Sequence, residues 1–158
     1  IVETDIKRIN KIKENKNIKN KIKKKNEIRI NRKISNKIDD LQWKTIKYLT
    51  INYDTIFLGD MSSREIVHKE NSVLSNTQRV ACLRTKYYMF QQRLANKCKE
   101  NGNRYNLISE RYTSKTCSLC GNIKQNLGKD KIYNCALCLL NIDRDINGAR
   151  NIYFNSYL

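Results

Sequence analysis

The chain has 158 residues, with 32 Lys and Arg residues against 15 Asp and Glu residues, and a formal net charge of +17 at pH 7. This length accommodates one ordinary domain or a partial domain with a small insert, and it excludes a large multidomain enzyme. The sequence contains no run of about 18 apolar residues and no signal-peptide pattern. We therefore expect an intracellular protein with no membrane partner, in either the nucleus or the cytoplasm.

The excess positive charge predicts a polyanionic partner, because clustered Lys and Arg side chains release counterions from phosphate backbones. Residues 1–48 alone hold 16 basic and 6 acidic residues. Isoleucines recur there at steps of three and four, which is typical of a helix with one apolar stripe. The basic residues would either face DNA or form a solvated helical face. An AT-rich genome is another explanation of this composition, because its codons enrich Lys, Ile and Asn whatever the function. The predicted contacts to nucleic acid are Lys21, Lys23, Lys24, Lys25, Arg29 and Arg32.

The middle of the chain has the pattern of a strand, a helix and a second strand. Residues 53–58 are β-branched and aromatic, and residues 77–100 have apolar side chains at helical spacing. Residues 104–108, after the helix stop at Asn101 and Gly102, have the pattern of a second strand. Such an order predicts two parallel strands joined by a crossover helix. In sheets of this kind, ligands and catalytic groups gather at the carboxyl ends of the strands. The residues at those ends are Gly59, Asp60 and Glu110.

Two Cys-x-x-Cys pairs, CSLC and CALC, are separated by fourteen residues. This spacing predicts a tetrahedral four-cysteine Zn²⁺ site with a short β-hairpin between the pairs. Four thiolates leave no position for water, so the metal would be structural; a disulfide pairing is the alternative. The predicted ligands are Cys117, Cys120, Cys135 and Cys138.

The remaining cysteines and the single histidine carry no such pattern. Cys82 and Cys98 lie sixteen residues apart on the predicted crossover helix, which favours buried core positions. His68 stands in a polar stretch, where we expect a surface role.

Acidic residues flank the predicted ribbon on both sides. Glu110 precedes it, and Asp143 and Asp145 follow it. If the ribbon is a closed excursion, Glu110 and Asp145 converge and could hold Mg²⁺ for phosphodiester cleavage. Alternatively, the two aspartates simply cap the last helix.

The string ERYTSKTCSLCG, the second Cys-x-x-Cys pair and the string DRDINGARNI together resemble the C-terminal end of the TnpB/OrfB transposon proteins. The closest resemblance is to the Fanzor-type branch, and it covers nearly the whole chain. It implies an RNase H-like RuvC fold interrupted by a zinc ribbon. It also implies an RNA-guided, Mg²⁺-dependent DNA endonuclease of a mobile element, formerly described as a transposase, with DNA and a guide RNA as partners.

The resemblance also implies an active site of three carboxylates. The last maps onto Asp145. The middle glutamate usually ends the strand that corresponds to residues 53–58, where this chain has Gly59, but in the Fanzor-type branch it precedes YTSKTC, which matches Glu110. Asp60 is a weaker candidate at the usual position. The first lies in a D-x-G motif that nothing early in this chain matches, since Asp5 lacks the following glycine. We therefore expect a chain that starts after the first catalytic segment and is not an active nuclease alone.

The predicted fold is α/β, a partial RNase H-like (RuvC) domain with a zinc-ribbon insert and basic N-terminal helices. The predicted ranges are a basic helical region (1–50), a βαβ unit (51–110), the zinc ribbon (111–142) and a C-terminal helix (143–158). Two rival interpretations are a non-catalytic zinc-ribbon protein that binds nucleic acid and a pseudogene relic. Nothing in the sequence predicts an oligomeric state.

Overall fold

The computed structural model of the chain describes residues 2–61, 74–128 and 130–157. His68 lies outside these residues. No helix in the described ranges combines the length and the apolar composition that crossing a membrane requires. The elements in chain order are α1 (Val2–Glu14), α2 (Asn20–Asn52), β1 (Thr55–Gly59), α3 (Asn76–Arg84), α4 (Tyr87–Asn101), β2 (Arg104–Ile108), β3 (Ile132–Asn134), β4 (Asn141–Asp143) and α5 (Arg144–Asn155).

The chain divides into two compact units. The helical unit comprises residues 1–52 and 62–101, and the ribbon unit comprises residues 53–61 and 102–158. The predicted βαβ range, 51–110, is therefore shared between them, because its crossover helices belong to the helical unit. The sequence pattern identified the elements, but it carried no information about which of them pack together.

In the helical unit, α1 and α2 pack through isoleucines. Most of their apolar stripe is buried, but Ile22 (50% exposed) and Leu41 (65% exposed) are not. Each buried isoleucine contributes about 1.5–3 kcal/mol relative to an exposed one. The predicted helical region is interrupted between α1 and α2, where the side chain of Asn15 accepts a hydrogen bond from the backbone N–H of Asn17 (2.9 Å). Such local bonds compete with the helix. The buried residues of this core are Ile6, Ile9, Ile30, Ile34 and Ile38.

The sequence predicts one helix over residues 77–100, whereas the structure contains two, α3 and α4. Lys86 adopts a left-handed backbone conformation (φ 54°) between them. The break is held from α2, since Gln42 Nε2 donates to the carbonyl oxygen of Thr85 (2.7 Å). Asp39 of α2 also pairs with Lys86 Nζ (3.1 Å) and Arg93 Nη1 (2.7 Å), and the Arg93 hydrogen bond is the main reason that the pKa of Asp39 is lowered. These tertiary bonds override a continuous helical pattern.

In the ribbon unit, β1 and β2 are parallel, as predicted, with Thr55 opposite Arg104 and Gly59 opposite Ile108. The backbone N–H of Asp60 donates to the carbonyl oxygen of Ile108 (2.9 Å), which extends the pairing past the strand ends. Among the described residues this sheet has two strands. Because the strands are parallel, the segments that follow them, beginning at Asp60 and Ser109, leave from the same edge.

The segment that carries the two Cys-x-x-Cys pairs, here called the ribbon, is built from two short hairpins. Strands β3 and β4 pair antiparallel across the second Cys-x-x-Cys pair, and an isolated bridge joins Thr116 to Ile123 across the first. We predicted one hairpin between the two pairs; instead, each pair lies at the turn of its own hairpin. The core of the segment is Tyr133, which is 1% exposed and whose hydroxyl donates to the carbonyl oxygen of Lys115 (3.0 Å).

Helix α5 is tied to the base of the first hairpin by two buried asparagines. Asn147 is fully buried; its Oδ1 accepts from the N–H of Ser118 (3.0 Å), and its Nδ2 donates to the carbonyl oxygen of Thr116 (2.8 Å). One turn later, Asn151 Nδ2 donates to the carbonyl oxygens of Thr113 and Thr116 (2.7 Å each). The ends of the ribbon are therefore held together, as its closed arrangement predicted.

Removing the Asn147 amide should loosen the base of the ribbon. In Asn147→Ala, the N–H of Ser118 loses its buried partner, at a cost of about 1–3 kcal/mol, whereas the carbonyl oxygen of Thr116 keeps its bond to Asn151. We expect the Ser118 amide to exchange its hydrogen at least about fivefold faster in the variant than in the parent chain.

The matched control is Ile146→Ala on the same helix, where the side chain is 55% exposed. Its effect on Ser118 exchange should stay within about twofold, since exposed substitutions change stability by less than about 0.5 kcal/mol. Equal protection of the Ser118 amide in the parent chain and in Asn147→Ala would contradict the assigned role.

Candidate functional site

The four cysteines of the two Cys-x-x-Cys pairs converge on one point. Their Sγ atoms all lie within 4.8 Å of one another, and they form the one set of three or more potential ligands found this close among the described residues. Cys117 Sγ lies 3.5 Å from Cys138 Sγ, and Cys120 Sγ lies 3.6 Å from Cys135 Sγ. Tetrahedral zinc with Zn–S bonds of about 2.3 Å places its sulfurs about 3.8 Å apart. The donor set and its spacing therefore fit a zinc ion.

Backbone N–H groups stabilise the negative charge on two thiolates of this cluster, Cys135 and Cys138. The N–H groups of Cys138 and Leu137 point at the sulfur of Cys135 and, with the first contributing most, lower the pKa of Cys135 to about 6. The N–H of Leu140 acts in the same way on Cys138, but burial and the neighbouring sulfurs outweigh it and raise the pKa of Cys138 to about 12. Four crowded sulfurs cannot all ionise by themselves, whereas a bound cation would allow it.

The residue after each Cys-x-x-Cys pair has the same backbone conformation. Gly121 has φ 75° and Leu139 has φ 59°. Glycine adopts this left-handed region freely, whereas a side chain there costs about 1–2 kcal/mol. The two turns therefore have matching geometry although one lacks glycine, and Leu139 extends away from the protein with 84% of its surface exposed.

The structure contains no disulfide among the described residues. All six cysteines are free, and the closest sulfurs are separated by 3.5 Å, far beyond the about 2.05 Å of a disulfide bond. Cys98 is fully buried, as predicted, and burial raises the pKa of its thiol. Cys82 is only half-buried.

A second group of polar side chains lies at the carboxyl ends of β1 and β2. Asp60 follows β1, and its Oδ1 accepts a hydrogen bond from the backbone N–H of Glu110 (2.9 Å). Glu110 follows β2 and folds back over Gly59, so that a Cβ atom at position 59 would overlap the Glu110 side chain. The carboxylate of Glu110 thus occupies the space that a side chain at position 59 would fill.

Glu110 is in an environment that disfavours its negative charge. Burial is the main cause and the nearby charge of Asp60 the second, and together they raise the pKa of Glu110. A cation bound at this edge would relieve both effects. The two carboxylates offer oxygen atoms, the type of ligand that divalent cations such as Mg²⁺ prefer.

The two aspartates after the ribbon have different roles. Asp143 is the N-cap of α5, because its Oδ1 accepts from the N–H groups of Asp145 (2.8 Å) and Ile146 (3.2 Å). This confirms the capping alternative for Asp143. Asp145 lies in the first turn and is exposed. It forms no potential metal-binding group of three with Asp60 and Glu110 among the described residues.

The predicted nucleic-acid contacts lie on α2. Five of the six side chains are exposed; Lys23 is half-buried, and its Nζ donates to the carbonyl oxygen of Lys13 (2.9 Å). The sequence places 24 basic and 9 acidic residues in the helical unit but only 8 basic and 6 acidic residues in the ribbon unit. The helical unit therefore holds +15 of the +17 net charge. The exposed members are Lys21, Lys24, Lys25, Arg29 and Arg32.

Sequence reasoning missed the two buried asparagines of α5. Asn147 and Asn151 are four residues apart and therefore share one face of the helix. The sequence pattern indicates a role for Asp145 in this motif and none for the two asparagines. Polar residues at the buried helical spacing were the available signal, since buried amides must find partners. The contact between Glu110 and Gly59 had no sequence signal of its own.

Comparison with known proteins identifies relatives for most of the chain. Residues 87–152 match the family model described as "Cas12f1-like, TNB domain". A TnpB-like protein of Acanthamoeba polyphaga mimivirus is 36% identical over 113 residues, which are 72% of this chain and 22% of the relative. The CRISPR-associated endodeoxyribonuclease Cas12f1 of Sulfoacidibacillus thermotolerans is 40% identical over 67 residues, which are 42% of this chain and 16% of that protein.

The fold also matches a solved structure. In the cryo-EM structure of a Cas12f1–sgRNA–target DNA complex, one chain matches 84% of this chain with a TM-score of 0.52 and 24% sequence identity, over 36% of its own length. This chain spans about a quarter or less of the two curated relatives. The mixed helix and strand arrangement is thus shared with Cas12f1, and the sequence matches agree with it. The chain belongs to the TnpB family.

Proposed function

We propose that this chain is a DNA-binding, zinc-ribbon-containing part of a transposase-like, RNA-guided DNA endonuclease. The observation that carries the proposal is the arrangement of the ribbon unit, in which Glu110 folds over Gly59 beside Asp60. Helix α5, which bears Asp145, is bonded through Asn151 to the segment that follows Glu110. The acidic side chains and the cysteine cluster are thus parts of one compact unit. We expect this unit to be a partial RNase H-like domain.

In this proposal the four-cysteine cluster holds Zn²⁺ as a structural ion. Four thiolates complete the coordination sphere, so this ion supports the fold and takes no part in a reaction. Its binding free energy supplies much of the folding free energy of the ribbon, because the segment has few buried residues besides Tyr133 and the cysteines.

We assign a second cation, Mg²⁺, to the carboxyl ends of β1 and β2, where Asp60 and Glu110 lie and which we call the acidic edge. Its ligands in this proposal are Glu110 and Asp145, with Asp60 as an additional acid. When bound, Mg²⁺ would polarise and orient a phosphodiester group. Glu110 is held in place by its backbone bond to Asp60 and by its fit over Gly59. The raised pKa of Glu110 is the electrostatic cost that a cation at this edge would offset.

We propose that the chain by itself does not cleave DNA. Two-metal phosphodiester cleavage needs acids that hold both ions close together, and the described parts of the chain contain no group of three carboxylates that could hold a metal ion. The same observation favours the second candidate function, a non-catalytic zinc-ribbon protein that binds nucleic acid. The two candidates differ in whether Glu110 binds Mg²⁺.

The partners in this proposal are DNA and a guide RNA. The structural relative is a Cas12f1 complex with sgRNA and target DNA, and the charge of the helical unit suits a phosphate backbone. The proposed contacts are the exposed basic residues in the first half of α2, namely Lys21, Lys24, Lys25, Arg29 and Arg32. Lys23 contributes less than its neighbours, because its ammonium group is already bonded to Lys13.

Zinc content tests the structural ion. We expect one zinc per chain by elemental analysis after gel filtration, and we expect Cys135→Ser to lose both the metal and the dispersed amide resonances of the ribbon. Cys82→Ser is the control, since it removes a thiol that lies outside the cluster. Retention of zinc by Cys135→Ser, or its loss in Cys82→Ser, would contradict the assignment.

Magnesium binding distinguishes the two candidate functions. We expect Mg²⁺ to shift the amide resonances of Asp60 and Glu110 in the zinc-loaded chain, and we expect Glu110→Gln to remove the effect because a neutral amide is a poor Mg²⁺ ligand. Asp130→Asn is the control, because it removes one exposed negative charge from the same unit. Identical shifts in the parent chain and Glu110→Gln would favour the non-catalytic function.

Salt dependence tests the basic surface. The logarithm of DNA affinity should fall with the logarithm of salt concentration, with a slope of about −0.9 for each phosphate that the protein neutralises. Replacing Lys21, Lys24 and Lys25 by Gln should make the slope shallower by about 0.9 for each phosphate that these lysines neutralise. The equally charged control replaces Lys44, Lys47 and Lys99 by Gln. If both triple variants change the slope equally, binding follows net charge and not this surface.

A further inference from the structure

A groove that the proposed function does not use lies on the ribbon unit. It has a volume of about 510 Å³, within the about 300–1,000 Å³ that small-ligand sites typically enclose. Its floor is one face of the β1–β2 sheet, and its side is the last turn of α5 and the residues that follow it. The lining residues are Thr55, Phe57, Arg104, Asn106, Tyr153 and Tyr157.

Three aromatic rings line this groove and contact one another edge to face. The ring centroids of Phe57 and Tyr153 are 5.8 Å apart at 76°, and those of Tyr153 and Tyr157 are 5.2 Å apart at 80°. The Tyr157 hydroxyl donates to the Tyr153 hydroxyl (2.8 Å). Tyr153 is 46% exposed and Tyr157 is 71% exposed, so large aromatic surfaces of the groove are accessible to a ligand.

Polar groups are placed beside these rings by the strand register. Thr55 lies opposite Arg104, and Phe57 lies opposite Asn106. Arg104 Nε donates to Thr55 Oγ1 (3.1 Å), which holds the guanidinium plane across the two strands. The groove thus combines aromatic faces, a fixed positive charge and an amide with both a donor and an acceptor.

This groove is separate from the acidic edge. Thr55 and Arg104 begin their strands, whereas Gly59 and Glu110 stand at or after the strand ends. Five-residue strands place these ends about 13 Å apart. The groove is therefore available to a ligand while the acidic edge is occupied.

We propose that this groove binds an unpaired nucleobase of single-stranded nucleic acid. Sheet faces that carry aromatic rings and basic side chains bind single strands by stacking bases on the rings, while the basic group contacts the backbone. An apolar protein segment fits less well, because its side chains offer no negative charge to the guanidinium of Arg104, whereas a nucleic-acid backbone does. A duplex also fits less well, because its bases are already stacked.

The test must separate base stacking from the phosphate binding of the lysine-rich helices. The affinity of the chain is measured by fluorescence anisotropy for a twelve-nucleotide thymidine strand and for an abasic strand of the same length, at one salt concentration. Phosphate binding affects both strands, whereas only the thymidine strand can stack. Stacking of one base predicts at least about fivefold tighter binding of the thymidine strand.

Tyr157→Leu should bring this ratio close to one. Tyr88→Leu is the matched control, since Tyr88 is a similarly exposed tyrosine (68%) of the helical unit. Arg104→Gln provides a second variant that leaves the rings in place, and it should lower the ratio as well. Zinc content and circular dichroism verify that each variant is folded.

Photocrosslinking of an iodouracil-substituted strand to the unmutated chain gives a measurement that needs no variant. We expect the crosslinked peptide to contain Tyr153 or Tyr157. A ratio that survives both Tyr157→Leu and Arg104→Gln, or crosslinks that fall entirely outside this groove, would overturn the proposal and point to a protein segment as its occupant. Failure of magnesium binding at Glu110 would leave this proposal unaffected.

Discussion

The ribbon unit depends on one buried amide. A fully buried asparagine must satisfy both a donor and an acceptor, and Asn147 does so with two backbone groups on either side of Cys117. The bonds therefore fix the start of the ribbon relative to α5. Asn151 adds two more bonds one turn along the helix. Without these four bonds, the ribbon would be joined to the rest of the unit mainly by its two connecting segments.

This constraint relates the cysteine cluster to the acidic edge. Thr113, whose carbonyl oxygen is bonded by Asn151, donates its own backbone N–H and its hydroxyl to the carbonyl oxygen of Glu110 (3.1 and 2.8 Å). A continuous series of hydrogen bonds therefore runs from the first cysteine pair through α5 to Glu110. In the proposed function, zinc orders the ribbon, and the ribbon in turn positions α5 and the acid over Gly59. The metal would then affect the acidic edge without touching it.

The parts of the fold that follow local rules were predictable. The cysteine spacing predicted the cluster, and the sequence after the helix stop at Asn101 and Gly102 predicted β2 at Arg104–Ile108 with its observed bounds. The break between α3 and α4 was not predictable, because it depends on Gln42 and Asp39 more than 40 residues earlier in the chain. The Glu110 contact with Gly59 likewise joins residues that only the parallel sheet brings together. Interactions between distant segments leave no periodic pattern, which is why these features were missed.

The central claim is that the zinc ribbon positions the acidic edge. The most direct test titrates Mg²⁺ into the zinc-loaded chain and into the chain after treatment with a chelator selective for zinc, while the amide resonances of Asp60 and Glu110 are followed. We expect these residues to respond to Mg²⁺ only while zinc is bound, because loss of the ribbon releases the bonds of Asn147 and Asn151. An undiminished Mg²⁺ response in the zinc-free chain would contradict the claim.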